Sequence, residues 1–328
     1  MTTMRTVRFG RTGLQVPIVS LGTWSYGGES QTGGGAPVGW SGHDDATARS
    51  AMLAAYRAGI THWDTADVYG DGRSERLIGT MWEEVPRDAI VLASKVGWDR
   101  GSHSRWYHPE MIREHLDASL KNLRTDHLDI LYFHHADFGP GDDWLDDALA
   151  VFHEAKKAGK IRFIGLSDWD SERIMRVVAR VDPDVVQPYR NVTHDDYVLT
   201  GLAGWVAEHD LGVAFFSPIR HGLLLGKYST STIFPAGDFR ATDPSFSDPR
   251  TLERLAHNAA VLRRRYADRA EPVLSALTGA ILDDAPTATV LLGQRSPAQV
   301  RAAALAGCGS PLGEVETRWV RGLYYGIT

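Results

Sequence analysis

Residues 61–70 are Thr61-His62-Trp63-Asp64-Thr65-Ala66-Asp67-Val68-Tyr69-Gly70, and this stretch joins a buried segment to a polar loop. Residues 60–63 come after a segment with a helical pattern and are predicted to form the end of a buried strand. The turn formers between positions 67 and 72 then close that strand. Asp64 is therefore expected at the strand's carboxyl end, five positions before Tyr69.

Seven further apolar runs resemble residues 60–63, because each is too short for a helix and consists mostly of aliphatic or β-branched residues. The eight predicted strands are 18–21, 60–63, 90–94, 128–133, 161–166, 185–187, 213–216 and 289–292. Helical patterns lie near 45–58, 74–82, 109–123, 144–158, 171–181 and 201–209. A hairpin is predicted before the first long strand, with 7–9 and 14–16 flanking the turn 10–13.

Alternating strands and helices favour an α/β fold, and eight such strands favour a parallel (β/α)8 TIM barrel. A doubly wound sheet is the alternative, but a dinucleotide-binding version should carry G-x-G-x-x-G after its first strand, and the chain lacks that motif there and at Gly33-Gly34-Gly35. No charge run or low-complexity tract marks a boundary. We expect residues 1–328 to form a single barrel domain with the N-terminal β-hairpin and extended rim loops, of which 22–43 is a lid or pocket wall.

The composition is that of an ordinary globular protein, with 43% hydrophobic residues, 23% charged residues and a formal net charge of -6. This charge gives no basis for a nucleic-acid or membrane surface, and no apolar run approaches the roughly 18 residues that span a bilayer. The single cysteine, Cys308, cannot form an intrachain disulfide, and residues 1–10 lack a signal-peptide core. We expect a cytoplasmic protein with a small-molecule partner; these features predict no oligomeric state.

A polar residue or a glycine follows most of the predicted strands: Asp64, Lys95, His134, Ser167, Gln187, Ser217 and Gly293. In a parallel barrel the carboxyl ends of all strands meet at one mouth, where such barrels keep their chemistry. Residues between positions 64 and 293 are therefore expected to share one pocket.

Lys95 would lose its charge in a low-dielectric rim unless a carboxylate paired with it, and Asp64 on the preceding strand is the candidate. A cationic Lys95 would favour the phenolate of Tyr69 and bring its pKa down from about 10, which makes the three residues a tuned acid or base. Two alternatives stay open. The pair could be a plain structural ion pair, or Lys95 could form a Schiff base, which needs a neutral amine.

His134 and His135 end the strand 128–133 and raise the question of a metal site. Adjacent strand residues point in opposite directions, and neither H-E-x-x-H nor a cysteine cluster accompanies them, so no metal is expected. A histidine that hydrogen-bonds a substrate carbonyl suits His134 better.

These residues resemble the aldo-keto reductases, and the likeness extends from about residue 8 to residue 300. The segments 63–70, 94–95 and 129–137 resemble the family's three catalytic segments in order and spacing. The resemblance implies that Tyr69 is the proton donor, that Lys95 and Asp64 tune it, and that His134 orients the carbonyl.

The resemblance also implies a nicotinamide cofactor. Gln187 and the segment 159–167 are similar to those that hold the carboxamide, Phe216 matches the stacking aromatic, and 217–227 resembles the loop around the pyrophosphate. The cofactor residues assigned in this way are Gly22, Thr23, Trp24, Ser167, Asp168, Gln187, Phe216, Ser217, Pro218, Ile219, Gly222, Leu223, Gly226, Lys227, Gly293, Arg295 and Gln299.

Arg295, next to Ser296 at a predicted helix start, suits a 2′-phosphate and so favours NADP (NADPH) over NAD. Four positions depart from the family's usual pattern. Asp168 replaces a common asparagine and cannot donate to a carbonyl, Ala303 replaces an adenine-contacting asparagine, Arg190 replaces a frequent tyrosine, and Ala136 replaces a frequent proline.

The sequence therefore predicts an NADPH-dependent oxidoreductase that reduces an aldehyde or ketone, with sugars and sugar-derived carbonyls among the candidate substrates and with Trp24, Trp98, Trp106 and His135 in the substrate pocket. Two rivals remain. The family also resembles channel-associated β subunits that bind NADPH, and a Schiff-base barrel aldolase would use Lys95.

Overall fold

The computed structural model describes residues 4–30 and 39–327. Two short antiparallel strands come first, β1 (Thr6–Arg8) and β2 (Gln15–Pro17), with Val7 opposite Val16. A 3₁₀ turn, Gly10–Thr12, joins them, so the predicted hairpin is confirmed, with each strand lying one residue farther from the turn than predicted. Phe9 leaves the strand and is buried against the ring of His62, with the ring centroids 5.4 Å apart.

Eight parallel strands close into a barrel. They are β3 (Val19–Gly22), β4 (His62–Asp64), β5 (Val91–Val96), β6 (Leu128–Phe133), β7 (Ile161–Asp168), β8 (Val185–Pro188), β9 (Gly212–Phe215) and β10 (Ala288–Gly293). The sheet closes because β10 pairs with both β3 and β9. This closure confirms the predicted TIM barrel and rules out the doubly wound alternative.

Helices surround the barrel. They are α1 (Asp45–Arg57), α2 (Arg73–Gly79), α3 (Pro109–Leu123), α4 (Leu145–Lys157), α5 (Ser171–Val181), α6 (Asp196–Leu199), α7 (Leu202–His209), α8 (Pro249–Arg265), α9 (Pro272–Leu282), α10 (Pro297–Cys308) and α11 (Glu314–Tyr324). The predicted helix 74–82 ends earlier, and its last turn is the separate 3₁₀ helix Met81–Glu83. In the described ranges, 4–30 and 39–327, no helix is long and apolar enough to cross a membrane.

Side chains of alternating strand residues fill the barrel. Tyr132 on β6 is the largest of the residues that form this inner cluster, and a Cβ at the facing Gly165 would collide with its ring. Glycine at position 165 therefore leaves the space that Tyr132 occupies. A second, larger apolar layer lies between the strands and the helices.

The barrel floor is polar. Ser20 and Thr289 share a 2.6 Å hydrogen bond, and the Ser20 hydroxyl lies 2.9 Å from His62 Nδ1. Burial lowers the pKa of His62 to about 4, so this histidine is neutral near pH 7.

Candidate active site

Lys95 and Asp64 form a buried ion pair at the barrel mouth. The Lys95 ammonium donates to Asp64 Oδ1 at 2.5 Å and to the Thr65 carbonyl at 2.8 Å. The second carboxylate oxygen of Asp64 accepts from Gln187 Nε2 at 2.9 Å. Because β4, β5 and β8 each contribute one inward side chain, the barrel itself fixes this arrangement.

Tyr69 lies beside this ammonium, with Lys95 Nζ 5.2 Å from the centroid of the phenol ring. Burial alone would lower the pKa of Lys95, but Asp64 and Tyr69 together raise it, so Lys95 is a cation. The pKa of Tyr69 is raised, since burial outweighs the lowering effect of Lys95. The predicted net fall in the pKa of Tyr69 is therefore wrong, although Lys95 acts in the predicted direction.

Residues 65–72, the Tyr69 loop, are tied to the barrel by backbone hydrogen bonds. The Tyr69 amide donates to Ala66 O at 3.2 Å, and the Tyr69 carbonyl accepts from the Ser74 amide at 3.1 Å. Gly70 has a φ of +63° and touches the backbone of Gly27, so a side chain there would be blocked by the neighbouring rim segment. The phenol is thus presented by a loop with little freedom.

His134 lies on the other side of the phenol. Its ring meets the Tyr69 ring edge-on, with centroids 5.9 Å apart. Burial, Lys95 and His135 hold the pKa of His134 well below its usual range, so the imidazole is neutral. Its Nδ1 is buried and has no hydrogen-bond partner among the residues that the structure describes, which is uncommon for a buried polar atom.

His135 faces the opposite way, as the strand alternation predicts. It is buried, its Nε2 lies 3.1 Å from the Gly97 carbonyl, and its Nδ1 accepts from the Asp137 amide at 3.1 Å. Both nitrogens are therefore occupied, and His135 supports the wall behind Trp98 instead of facing Tyr69. Within the described residues no group of three or more His, Cys, Asp or Glu side chains is arranged to hold a metal ion.

Three predicted pocket tryptophans line the rim. Trp98 is 45% exposed and lies with its ring 6.1 Å from that of His134. Trp106 packs edge-on against Trp98 at 6.5 Å. Trp24 lies 6.5 Å from the Tyr69 ring on the opposite side and packs against Phe239 at 5.1 Å. The predicted lid 22–43 is described only outside residues 31–38; its Trp40 contacts Phe239 at 5.0 Å.

The residues assigned to the nicotinamide end lie next to the Lys95 pair. Gly22 pairs with both Asp64 and Gly293 across the barrel seam, and the Thr23 hydroxyl donates to the Asp64 carbonyl at 2.8 Å. Ser167 donates to the Gln187 carbonyl at 2.9 Å. Asp168 faces elsewhere: it accepts from the backbone amides of Ala136 and Asp170 at 2.7 and 2.9 Å, which explains why a carboxylate is tolerated there.

Phe216 lies at the end of β9 in contact with two aromatic residues that the sequence analysis missed. Trp169 meets Phe216 edge-on at 4.7 Å, and Tyr189 lies 5.5 Å from Phe216. Trp169 is 48% exposed. The sequence feature that could have identified Trp169 is its position directly after the strand-end pair Ser167-Asp168.

The segment after β9 has an unusual backbone. Ser217, Arg220, His221, Gly222 and Gly226 all have positive φ between 44° and 91°. Such left-handed runs turn successive amides toward one side and form anion-binding concavities. The other residues assigned to this loop are Pro218, Ile219 and Leu223, which are buried or half-buried, and the exposed Lys227.

Arg295 and Gln299 lie at the start of α10, whose N-cap is Ser296. Gln299 Oε1 accepts from the Arg295 amide at 2.6 Å. The Arg295 guanidinium donates to the Ser41 carbonyl and lies 5.7 Å from the Trp40 ring centroid. Among residues 4–30 and 39–327 this is the one hydrogen bond of the guanidinium, whose other N–H groups could bind an anion.

A family model described as the Aldo/keto reductase family matches residues 19–306. The chain belongs to this family. Aldo/keto reductases are oxidoreductases that act on carbonyl groups with nicotinamide cofactors, and the position of Asp64, Tyr69, Lys95 and His134 at one barrel mouth is consistent with that chemistry.

Relatives cover nearly the whole aldo/keto reductase chain. The aldo-keto reductase YhdN of Bacillus subtilis is 30% identical over 89% of this chain and 85% of its own length. The NADH-specific methylglyoxal reductase of Escherichia coli is 28% identical over 91% and 92%. Among solved structures, the glycerol dehydrogenase AKR11B4 from Gluconobacter oxydans superposes with a TM-score of 0.78 at 26% identity, covering 97% of this chain and 94% of that one.

Proposed function

We propose that this protein reduces an aldehyde or ketone to an alcohol with NADPH, and that Tyr69 donates the proton. The observation that carries the proposal is the buried Lys95 ammonium, which is bonded to Asp64 at 2.5 Å and lies 5.2 Å from the Tyr69 ring centroid. A neutral His134 completes the group on the other side of the phenol.

The roles follow from charge. As Tyr69 gives its proton to the carbonyl oxygen, a phenolate forms beside Lys95, and the fixed ammonium stabilises it. Asp64 and the Thr65 carbonyl hold that ammonium in place. His134 is neutral and can donate one hydrogen bond to the carbonyl oxygen. A reduced nicotinamide, when bound, supplies the hydride to the carbonyl carbon.

Several features fit that cofactor. Ser167 and Gln187 lie beside the Lys95 pair, where a carboxamide could hydrogen-bond, and Phe216 offers a ring for stacking. The left-handed backbone of 217–226 suits a pyrophosphate. Arg295 at the N-terminus of α10 suits a 2′-phosphate, which supports NADPH. One relative is named NADH-specific, so this preference needs its own measurement.

We assign substrate selection to the aromatic rim formed by the exposed Trp98 and the half-buried Trp24 and Trp106. Flat aromatic faces stack on sugar rings and also enclose apolar carbonyl compounds. Both substrate classes therefore belong in any screen, together with methylglyoxal, the substrate that the Escherichia coli relative's name states.

The Schiff-base alternative is disfavoured, because Asp64 and Tyr69 raise the pKa of Lys95 and keep its amine protonated. Borohydride trapping of a carbonyl compound on Lys95 would revive it. A regulatory subunit that only binds the cofactor would not need all four of these residues, Asp64, Tyr69, Lys95 and His134.

The test is a fluorescence titration with NADPH and NADH, followed by a substrate screen with the preferred cofactor. The panel contains methylglyoxal, glyceraldehyde, xylose and 4-nitrobenzaldehyde. We expect tighter binding of NADPH and steady cofactor oxidation with at least one aldehyde. Tight binding without any turnover would contradict the reductase assignment and favour a regulatory subunit.

A further inference from the structure

We infer that Asp67 and His115 form a second charge pair that holds the Tyr69 loop from outside the barrel and couples its own charge state to Tyr69. This inference rests on the proposed role of Tyr69. His115 lies on α3, 46 positions after Tyr69 in the sequence. It touches neither Lys95 nor the barrel interior in any described contact, so it is a positioning residue.

Asp67 is the most heavily bonded residue of the Tyr69 loop. Its Oδ2 accepts from His115 Nδ1 at 2.7 Å, and its Oδ1 accepts from the Val68 amide at 2.7 Å. Its own amide donates to the Lys95 carbonyl at 3.2 Å, and its carbonyl accepts from the Gly72 amide at 2.8 Å. Asp67 thus links α3, the two ends of the loop turn and the backbone of the catalytic lysine.

The pair is shielded from solvent. The Asp67 side chain is 8% exposed and that of His115 is 19% exposed. The charged groups that act on His115 are Asp67 in the loop, Asp99 in the rim segment after β5, and Glu114 on α3 itself. All three are acidic, so each of them favours the imidazolium.

Both partners hold protons more tightly than usual. The hydrogen bond to Asp67 is the main cause that raises the pKa of His115, and burial is the main cause that raises the pKa of Asp67. The two groups titrate together, so the useful quantity is the net charge of the pair. With its shared proton the pair is neutral, and without that proton it carries one negative charge.

This net charge reaches the phenol, because the Asp67 carboxylate is one of the groups that raise the pKa of Tyr69. When the pair loses its proton, the phenolate form of Tyr69 should become harder to reach. Alcohol oxidation needs that phenolate as base, whereas carbonyl reduction starts from the phenol. The pair should therefore affect oxidation more than reduction.

The test compares His115→Gln and Asp67→Asn with the unchanged protein, using benzyl alcohol for oxidation and 4-nitrobenzaldehyde for reduction between about pH 6 and 10. Arg113→Gln is the matched control: it removes a cation from the same helix, and its partners are the exposed Glu110 and Glu154.

We expect His115→Gln to slow oxidation about threefold or more near neutral pH and to match the unchanged protein at the alkaline end, where His115 has lost its proton anyway. Asp67→Asn should show the reverse pattern, with little change near neutral pH and faster oxidation at the alkaline end. Equal, pH-independent losses in both directions, or no difference from Arg113→Gln, would overturn the inference.

A second readout does not depend on turnover. The ultraviolet absorbance change of tyrosinate formation, taken as the difference from Tyr69→Phe, follows the ionisation of Tyr69 directly. Tyr69 should ionise at lower pH in Asp67→Asn than in the unchanged protein. An unshifted titration would overturn the pair's role even if the protein reduces aldehydes, and a shifted titration without turnover would count against the proposed function alone.

Discussion

Two carboxylates three positions apart, Asp64 and Asp67, meet two different bases. Asp64 points into the barrel and binds Lys95, whereas Asp67 points outward and binds His115. The pKa of Lys95 is raised further above an already high value, so Lys95 stays cationic across the physiological range. His115 is a histidine with a raised pKa, so the outer pair changes charge within reach of ordinary buffers.

The comparison shows how one loop can receive a constant electrostatic field from one side and an adjustable one from the other. Both pairs act on the same phenol, and both lie on backbone that the Lys95 strand fixes. Among the charged groups, Lys95 of the inner pair has the largest effect on the pKa of Tyr69 and lowers it; Lys95 is buried and lies 5.2 Å from the ring centroid. We infer that the net charge of the outer pair adjusts the pKa of Tyr69.

The largest effect is expected from Lys95→Met, which removes the cation of the inner pair. We expect kcat for reduction to fall roughly 10²- to 10⁴-fold, because the phenolate loses its cation. Removing one partner of a buried pair should also cost about 3–5 kcal/mol of folding free energy. Steady-state kinetics and urea unfolding measure the two effects.

The double variant Asp64→Asn with Lys95→Met separates these effects. It leaves no unpaired buried charge, so most of the folding free energy should return while the activity stays low. Recovery of activity in the double variant would show that Lys95 acts through stability alone.

A smaller effect should come from a cation remote from both pairs. Arg295→Gln should weaken NADPH binding about tenfold, the value expected for a lost charge-assisted hydrogen bond, and should leave NADH binding and kcat unchanged. Arg301→Gln, an exposed neighbour on α10, is the control for a general loss of positive charge. A similar loss for both cofactors in Arg295→Gln would remove the argument for a 2′-phosphate site.

The smallest effect concerns stability and pH. The pKa of His115 is raised in the folded protein, so its contribution is complete below the unfolded value of about 6.5 and is lost as the pH rises through the folded value. The free energy of unfolding should therefore decline over that window by about 1 kcal/mol, because histidine pKa values in folded proteins usually lie within about one unit of the ordinary value. His115→Gln should remove this decline; a decline of the same size in the variant would assign it to another group.

The sequence predicted the barrel and the inner half of the site because both depend on local, periodic signals. Asp64, Lys95 and His134 follow apolar runs, and strand alternation predicted that His134 and His135 point in opposite directions. The placement of His135 in the substrate pocket was wrong, because both of its ring nitrogens are bonded within the wall. The helices after residue 209 also have sequence features that mark their starts, such as the N-cap Asp248 before Pro249, but the prediction did not take them into account. These helices do not change the topology.

The outer half of the site could not be predicted in this way. Contact between Asp67 and His115 depends on how α3 is rotated against the barrel, which sequence spacing does not state. The direction of the net shift in the pKa of Tyr69 was also out of reach, because it depends on how much burial opposes Lys95. Trp169 was missed because it lies after a strand whose end had already been assigned to the cofactor.

The most direct test of the central claim is the activity of Tyr69→Phe, which removes one hydroxyl and keeps the ring that packs against His134. The measurement is kcat for reduction of the best aldehyde in the panel, together with NADPH affinity by fluorescence. We predict that kcat falls at least about 10²-fold and that NADPH affinity stays the same. Full activity in this variant would contradict the assignment of Tyr69 as the proton donor.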